Sequence, residues 1–366
     1  MTERLMMTVV YASSLFIILI AQVILPYLNR GNVVLGVTLP KVAMGLKEIK
    51  TFKHHYMTNT SWIGILYVLF SSYFVYHYPT NLFMQSMLII VYIMLMISIY
   101  LIHHRKVTKW KSAQNFPAMP QQVRIDLQLS KNKVSNGYLW WHLIPFSLGL
   151  ICTIFVLSQY DKLPANIPTH WGFDGKADAF SNKSIGSVML PAILMWITEL
   201  LVVFSHYAIL RSKQQLNKDY SAESLHNLLK SRKYWSIIMV GIHTFIVMNM
   251  SPIQLMMLDI LNSQTYLIIT LITSPLLILI ICLLGIKVGN QGEKLGSKES
   301  SYATRDDDSY WLGGLIYYNP QDPTVFIPKK VGIGYTVNLG STLGKVFYLG
   351  ILILILLLSI LPFILN

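Results

Sequence analysis

Long apolar runs constrain this chain more than any other feature of its sequence. A helix needs about 20 consecutive apolar residues to cross a bilayer, and hydropathy marks eight runs of roughly that length. They lie at residues 6–28, 61–78, 82–102, 138–158, 185–210, 234–258, 265–286 and 347–364. Only 12% of the residues are charged, against roughly 25% in an average soluble domain. The sequence therefore predicts an all-α polytopic membrane protein with about eight spans.

The basic residues are concentrated in the loops on one side of these spans. Most of the 29 Lys and Arg residues lie in four loops, at 29–60, 103–137, 211–233 and 287–346. Basic residues close to membrane helices stay in the cytoplasm, so we expect these loops to be cytoplasmic and both termini to be extracytoplasmic. The net charge of +13 then reflects orientation and attraction to anionic lipid headgroups. The lipid bilayer is the expected partner, and no nucleic-acid partner is expected.

The spans and loops divide the chain into four predicted regions. An N-terminal three-helix membrane region with basic loops is followed by a four-helix membrane region, a cytoplasmic linker with a small β-module, and a final span. The predicted boundaries are 1–137, 138–286, 287–346 and 347–366.

The β-module, which we define as residues 310–340, is predicted from β-rich runs. "GLIYY" and "TVFIP" favour strands, "NPQDP" between them favours a turn, and "GYTVNL" favours a third strand. Three short strands bury little apolar area by themselves, so we expect the β-module to lean on the membrane surface or on other loops. The acidic run at 306–308 just before it is expected to be a solvated linker.

The most elaborate extracytoplasmic segment is the 163–184 loop, "LPANIPTHWGFDGKADAFSNKS". His170, Asp174 and Asp178 are spaced by four, and on one helix face they could hold a divalent metal. The glycines and prolines of the loop disfavour a helix, so no metal site is predicted. Prolines also lower the entropy cost of ordering a loop. Two interpretations stay open, a compact loop anchored at the interface by Trp171 and a surface that recognises an extracellular peptide or a lipid headgroup.

Three ionisable residues are predicted within the bilayer, where such residues are costly and mark function more often than elsewhere. Glu199 and His206 lie in the fifth span, and His243 lies in the sixth. Glu199 and His243 lie roughly 16 and 13 Å from the same membrane face and could therefore pair. Glu199 and His206 are seven residues apart and share a helix face. A buried polar clasp between helices and a proton or ion pathway both remain open.

The 163–184 loop resembles the membrane domain-of-unknown-function family numbered 1648. The recurring pattern of that family is a proline-flanked Pro-x-His-Trp followed by Gly, Asp and a terminal Ser/Asn-Lys. The matching positions are Pro164, Pro168, His170, Trp171, Gly175, Asp178 and Lys183. The family includes SdpI-like immunity proteins of Gram-positive bacteria. The resemblance therefore implies a cell-membrane protein that protects against, or senses, an extracellular peptide toxin.

The β-module resembles a second family of unknown function, numbered 5808, through its Tyr-x-Asn-Pro-x-Asp-Pro and Lys-x-x-Gly-x-Gly-x-Thr-x-Asn patterns. The positions singled out there are Tyr318, Asn319, Pro320, Asp322, Pro323, Lys330, Gly334 and Asn338. "NVVLGVTLPK" followed by "EIKTFKHHY" is also similar to a loop of the long members of the same family. These resemblances imply a family but no reaction.

Three functions follow as alternatives. The first is a non-enzymatic SdpI-like protein that gives immunity to, or senses, an antimicrobial peptide or envelope component, with a cytoplasmic regulator as partner of the β-module. The second is an ion- or proton-coupled transporter that uses Glu199 and His243, and the third is a membrane-embedded hydrolase that uses His170 and Asp178. The chain contains no His-Glu-x-x-His, Gly-x-Ser-x-Gly or phosphate-binding loop. We therefore expect neither a catalytic residue nor a cofactor.

Overall fold

The computed structural model describes residues 3–29, 31–117, 119, 136–171, 177–212, 221–297 and 306–364. These residues contain eight long α-helices and four two-stranded antiparallel hairpins. The helices are α1 (Glu3–Val23), α2 (Lys47–His77), α3 (Leu82–Ser112), α4 (Leu143–Ser158), α5 (Ile185–Arg211), α6 (Ser221–Met256), α7 (Ser263–Val288) and α8 (Thr342–Ile364). The strands are β1 (Val33–Val34), β2 (Val37–Thr38), β3 (Asn166–Trp171), β4 (Ala177–Asn182), β5 (Trp311–Leu312), β6 (Ile316–Tyr317), β7 (Phe326–Pro328) and β8 (Tyr335–Val337).

The helices confirm the prediction of an all-α polytopic membrane protein. Five segments are long and apolar enough to cross a membrane: α3, α5, α6, α7, and α4 together with the 3-10 segment that precedes it. Shorter apolar stretches lie in α1 and in the described part of α8. Helix α2 has 31 residues, but tyrosines and serines interrupt its apolar half.

Several helices run further than the predicted spans. Helix α2 begins at Lys47 instead of 61, α3 ends at Ser112 instead of 102, and α6 begins at Ser221 instead of 234. The added turns are rich in Lys and Arg, which favour helix strongly. Hydropathy detects only the apolar part of such a helix, so it predicts a helix that is too short.

The chain divides into two compact units. Unit 1 comprises 1–132, 213–231 and 284–344, and unit 2 comprises 133–212, 232–283 and 345–366. Unit 1 therefore contains α1 to α3 together with the β-module, and unit 2 contains α4, α5, most of α6 and α7, and the 163–184 loop.

In unit 1, α1 packs closely on α2. Gly64 of α2 faces Leu19 of α1 so closely that a Cβ atom at position 64 would lie 2.2 Å from a Leu19 methyl group. The buried core continues through the tyrosines of α2 and α3 to the β1–β2 hairpin. Its fully buried members include Leu15, Val34, Leu35, Leu39, Tyr56 and Tyr92.

A two-residue turn joins β1 to β2, and both of its residues have a positive φ. Leu35 has φ 47° and Gly36 has φ 82°, the combination of a type I′ hairpin turn. Glycine adopts this conformation freely, but leucine does so only at a cost. At Leu35 two hydrogen bonds offset that cost, because its carbonyl accepts from the Tyr100 hydroxyl at 3.1 Å and from Nδ1 of His104 at 2.7 Å.

The β-module docks onto this hairpin turn. Its predicted strands are present as β6, β7 and β8, with β5 as an addition. Gly36 and Gly314 meet face to face, and a Cβ atom at Gly36 would lie 3.0 Å from the Gly314 Cα atom. The Tyr100 hydroxyl oxygen also lies 3.0 Å from the Gly313 carbonyl oxygen, so its single proton is shared between the Leu35 and Gly313 carbonyls. The expectation that the β-module leans on other loops is therefore confirmed within unit 1.

The acidic run at 306–308 is not a solvated linker, and that expectation was wrong. Lys111 lies 2.5 Å from Asp306 and 2.9 Å from Asp308, while Lys330 lies 2.7 Å from Asp307 and also contacts Asp308. The Asp308 carboxylate accepts from the Thr38 backbone N–H at 3.0 Å. Two lysines distant in sequence offset most of the charge of the run, and these contacts tie the β-module to α3 and β2.

These contacts make the stability of unit 1 depend on pH. Burial alone would raise the pKa of Asp308, but the ion pairs with Lys330 and Lys111 outweigh it and hold that pKa below its usual range. The stabilisation is therefore complete above about pH 4, the ordinary carboxyl range, and is lost as the pH falls through the folded-state pKa.

We expect Asp308→Asn to lower the melting temperature at neutral pH and to make its decline in acid shallower. Thermal unfolding of the purified protein between neutral and acidic pH measures both effects. Asp161→Asn, at an exposed aspartate, is the matched control. An Asp308→Asn protein with the melting temperature and acid profile of the wild type would contradict the ion-pair account.

Candidate functional site

Four ionisable side chains and one serine form a continuous buried row in unit 2. Ser236 Oγ lies 2.8 Å from Nε2 of His206, and Nδ1 of His206 lies 2.8 Å from Nε2 of His142. Nδ1 of His142 lies 2.8 Å from Nδ1 of His243, and Nε2 of His243 lies 3.5 Å from Oε1 of Glu199. We call these five residues the histidine row.

Simple helix geometry places the members of the row. Glu199 and His206 of α5 are seven residues apart, as are Ser236 and His243 of α6, so each pair shares one helix face. His142 ends the 3-10 segment Asn136–His142 and immediately precedes α4. The single ring of His142 therefore joins the polar faces of two helices.

Every member of the row is buried. The exposed fraction is 4% for His142, 2% for Glu199, 1% for His243 and 0% for His206 and Ser236. The 3.5 Å contact with His243 is an ion-pair distance and too long for a hydrogen bond, and neither carboxylate oxygen of Glu199 has a hydrogen-bond partner among the described residues. A bare buried carboxylate is very costly, so a proton on Glu199 or on His243 must neutralise this end of the row.

The ring nitrogen atoms of the row are arranged in series. His142 contacts its two neighbours through opposite ring nitrogens, so the nitrogen atoms follow one another in line and do not converge on a point. Among the described residues no group of three His, Cys, Asp or Glu side chains could hold a metal ion. An imidazole bonded on both sides can accept a proton on one nitrogen and release one from the other.

The sequence singled out three members of the row and missed two. Glu199, His206 and His243 do come together in one cluster. His142 was overlooked because it follows "YLWW" at the start of the fourth span, where aromatic residues mark the membrane interface. His142 and His206 are both predicted near the same side of the membrane, and that shared position was the signal that could have identified His142. No sequence signal pointed to Ser236.

The 163–184 loop forms the β3–β4 hairpin. The strands pair Ile167 with Ser181 and Pro168 with Phe180, and the register shifts on both sides of His170. Trp171 and Asp178 also lie within the two strands, while Gly175 and Asp174 lie outside the described residues. Proline at a two-stranded edge is tolerated because its missing N–H faces outward.

Lys183 fixes the base of this hairpin. Its Nζ atom donates to the Leu163 carbonyl at 2.9 Å and lies 4.9 Å from the centre of the Tyr160 ring. Its backbone N–H donates to the Ala165 carbonyl at 2.8 Å, next to the exposed Pro164. Below it, Ile167 is fully buried and packs with Val156, Leu163, Val188 and Met257. The hairpin is thus anchored on the helices rather than mobile at its base.

The positions singled out in the β-module build a buried polar network. Asn338 is fully buried; its Oδ1 atom accepts from the Asn319 and Gly340 backbone N–H groups, and its Nδ2 atom donates to the Asn319 and Asp322 carbonyls. Asp322 accepts from the Thr324 backbone N–H at 3.0 Å.

The remaining positions of the pattern surround this network. Lys330 is buried against the acidic run, Gly334 has φ 101°, and Tyr318, Pro320 and Pro323 are exposed around the turn. The pattern therefore maintains the shape of the turn, and none of these contacts points to catalysis.

Two segments of the chain match known families. Residues 148–195 match a domain of unknown function, DUF1648. Residues 320–345 match a family of unknown function, DUF5808. Both resemblances are therefore confirmed, and neither family carries an assigned activity. No curated protein and no solved structure matches the chain.

The segment that matches DUF1648 contains the β3–β4 hairpin and the adjoining parts of α4 and α5. One residue of this segment, Gly149, lies against the histidine row. Within it, Gly149 of α4 faces Glu199, and a Cβ atom at Gly149 would lie 2.8 Å from the Met195 methyl group and 3.4 Å from Oε1 of Glu199. His142 and Glu199 themselves lie just outside the matched residues. Glycine at position 149 therefore lets α4 approach the carboxylate.

Proposed function

We propose that this chain is a proton-coupled membrane transporter that loads and releases a proton through the histidine row. The observation that carries the proposal is the unbroken series of contacts from Ser236 to Glu199 in a fully buried setting. A purely structural clasp needs one pair of partners, whereas this row places three imidazoles in series. Ionisable residues in a membrane interior are costly and are retained where protons or ions move.

The polar residues of unit 2 support the same proposal. The sequence shows almost no ionisable groups in the helices around Glu199. Buried polar side chains nevertheless occur on three of these helices: Thr153 on α4, Ser187 on α5, and Asn249 and Gln254 on α6. Thr270 of α7 donates to Asn249 at 2.9 Å. A transporter needs polar groups on several spans, and unit 2 provides them.

Glu199→Gln is expected to abolish proton movement, because glutamine keeps the size of the side chain but cannot exchange a proton. The purified protein is reconstituted in liposomes that contain a pH-sensitive dye, and a potassium diffusion potential drives protons inward. We expect the wild type to acidify the lumen and Glu199→Gln to match empty liposomes. Glu48→Gln, the same change at an exposed glutamate, should behave like the wild type. Equal flux in the wild type and in Glu199→Gln would refute the proposal.

A second function, recognition of an extracytoplasmic peptide or envelope component, is favoured by the DUF1648 match. That match is centred on the β3–β4 hairpin, and Lys183 anchors the hairpin at its base. In the predicted orientation the hairpin is extracytoplasmic. The resemblance to SdpI-like proteins implies that such recognition would serve immunity or sensing in a bacterial cell membrane.

Recognition predicts that His170→Ala or Trp171→Ala raises the sensitivity of cells to a secreted antimicrobial peptide. The substitutions remove ring surface at the irregular part of the hairpin, so binding should weaken while protein levels stay normal. Growth inhibition across a peptide panel measures the effect, and Lys162→Ala, exposed nearby, is the control. Sensitivity that is identical in the deletion strain and in the wild type would argue strongly against this function.

A further inference from the structure

We propose that Lys53 and Lys294 bind the phosphate headgroup of an anionic phospholipid at the end of α1. This site lies in unit 1 and involves no residue of the histidine row, so it goes beyond the proposed function. Lys53 belongs to α2 and Lys294 follows α7, and both contact Tyr27 in the 3-10 segment Leu25–Tyr27 after α1. We call the two lysines the lysine pair.

Tyr27 brings the lysine pair together. Nζ of Lys294 donates to the Tyr27 carbonyl at 2.8 Å. Nζ of Lys53 lies 5.6 Å from the centre of the Tyr27 ring, which is a cation–π distance. Because both ammonium groups are held against one residue, a single phosphate group beside Tyr27 is within reach of both.

The lysine pair has donors to spare and no counter-ion among the described residues. No described carboxylate lies within ion-pair distance of Lys53 or Lys294. The neighbouring Glu293 accepts instead from two backbone N–H groups, that of Asn290 at 3.0 Å and that of Gln291 at 2.6 Å. An ammonium group carries three donors, and the bond to Tyr27 uses only one of those on Lys294. The remaining donors can serve a ligand with several acceptor oxygens.

Burial makes the uncompensated charge of the lysine pair costly. Both lysines are half-buried and lie outside the apolar spans. Burial lowers the pKa of Lys53. It is also the main cause of the lowered pKa of Lys294, which the charge of Lys53 lowers further and that of Glu293 raises. Two half-buried like charges disfavour each other, and a bound anion would offset both.

The surroundings of the lysine pair favour a lipid anion over a soluble one. Tyr27 is exposed where the apolar run of α1 ends, and tyrosine is enriched at such membrane interfaces. Further up α1, the exposed Phe16 and Ile20 offer an apolar surface that acyl chains can cover. In the predicted orientation this end of α1 faces the cytoplasmic leaflet, where basic pockets bind anionic headgroups. A phospholipid therefore suits both the charge and the apolar surface.

Thermal unfolding with added lipid tests the site. Short-chain phosphatidylglycerol is titrated into the purified full-length protein in nonionic detergent, and the rise in melting temperature gives an apparent affinity. Phosphatidylcholine, which has a phosphate but no net charge, and inorganic phosphate are the comparison ligands. We expect phosphatidylglycerol to stabilise the wild type and the other two to have little effect.

The variants isolate the lysine pair from the general positive charge of the protein. We expect Lys53→Gln/Lys294→Gln to bind phosphatidylglycerol roughly thirtyfold more weakly and Lys53→Gln roughly fivefold, at about 1 kcal/mol for each lysine. Lys53→Arg/Lys294→Arg keeps both charges and should retain binding. Lys106→Gln/Lys109→Gln removes two charges from exposed positions on α3 and should bind like the wild type.

Each outcome supports or overturns the site independently of proton flux. Wild-type affinity in the Lys53→Gln/Lys294→Gln protein, or no effect of phosphatidylglycerol on the wild type, would overturn it. An equal loss in Lys106→Gln/Lys109→Gln would show diffuse attraction only, and equal stabilisation by inorganic phosphate would show a site for a free anion. Lys53→Gln removes no hydrogen bond found in the described part of the chain, so it decides the matter even if the double variant does not fold.

Discussion

Gly36→Ala is expected to destabilise unit 1 by about 3 kcal/mol, the range of a strained backbone combined with overpacking. Gly36 has φ 82° and its missing Cβ atom would lie 2.5 Å from the Tyr100 hydroxyl oxygen and 3.0 Å from the Gly314 Cα atom. The methyl group would therefore force the β-module away from the β1–β2 turn. The hydrogen bonds of Tyr100 to Leu35 and Gly313 should break together.

Thermal unfolding of the full-length protein in detergent measures this effect. Gly45→Ala is the matched control, because position 45 lies in the same loop and a Cβ atom there would meet nothing within 4 Å. We expect Gly45→Ala to melt at the wild-type temperature and Gly36→Ala well below it. Equal melting temperatures for Gly36→Ala and the wild type would contradict the docking of the β-module on this turn.

His142→Ala is expected to disable the histidine row and to destabilise unit 2. The substitution leaves Nδ1 of His206 and Nδ1 of His243 without their partner, and each unsatisfied buried group costs roughly 1–3 kcal/mol. It also breaks the row between His206 and His243, both of which contact the His142 ring. Proton flux in liposomes should fall to the level of Glu199→Gln, and the melting temperature should fall as well.

His55→Ala provides the matched control, since His55 is exposed on α2. It should leave both proton flux and melting temperature unchanged. A His142→Ala protein that conducts protons like the wild type would show that the row does not carry them. A protein that folds normally but does not conduct would separate the relay role of His142 from its packing role.

The membrane architecture could be predicted from the sequence because burial in lipid depends on local composition. Long apolar runs identify spans whatever they pack against. The same rule failed at helix ends such as Lys47 and Ser221, where a helix continues into polar sequence. The rule does not apply to the β3–β4 hairpin, where β3 contains Pro168 although proline disfavours strands in general.

The candidate site could be predicted only in part, because its contacts join residues far apart in the chain. Helix periodicity predicted that Glu199 and His206 share a face, and similar depth in the membrane placed Glu199 and His243 at one level. Both properties can be read from local sequence. His142 and Ser236 joined the row through packing of α4 on α5 and α6, which no local pattern encodes. The acidic run at 306–308 has the same explanation, because Lys111 lies 195 residues away from Asp306 along the chain.

Nitrogen-15 NMR of histidine-labelled protein in bilayers tests the central claim most directly. We expect couplings across two N–H···N hydrogen bonds, one between His142 and His206 and one between His142 and His243, and both should vanish in His142→Ala. Three histidine rings with no coupling between them, each titrating independently, would contradict a shared proton and with it the proposed relay.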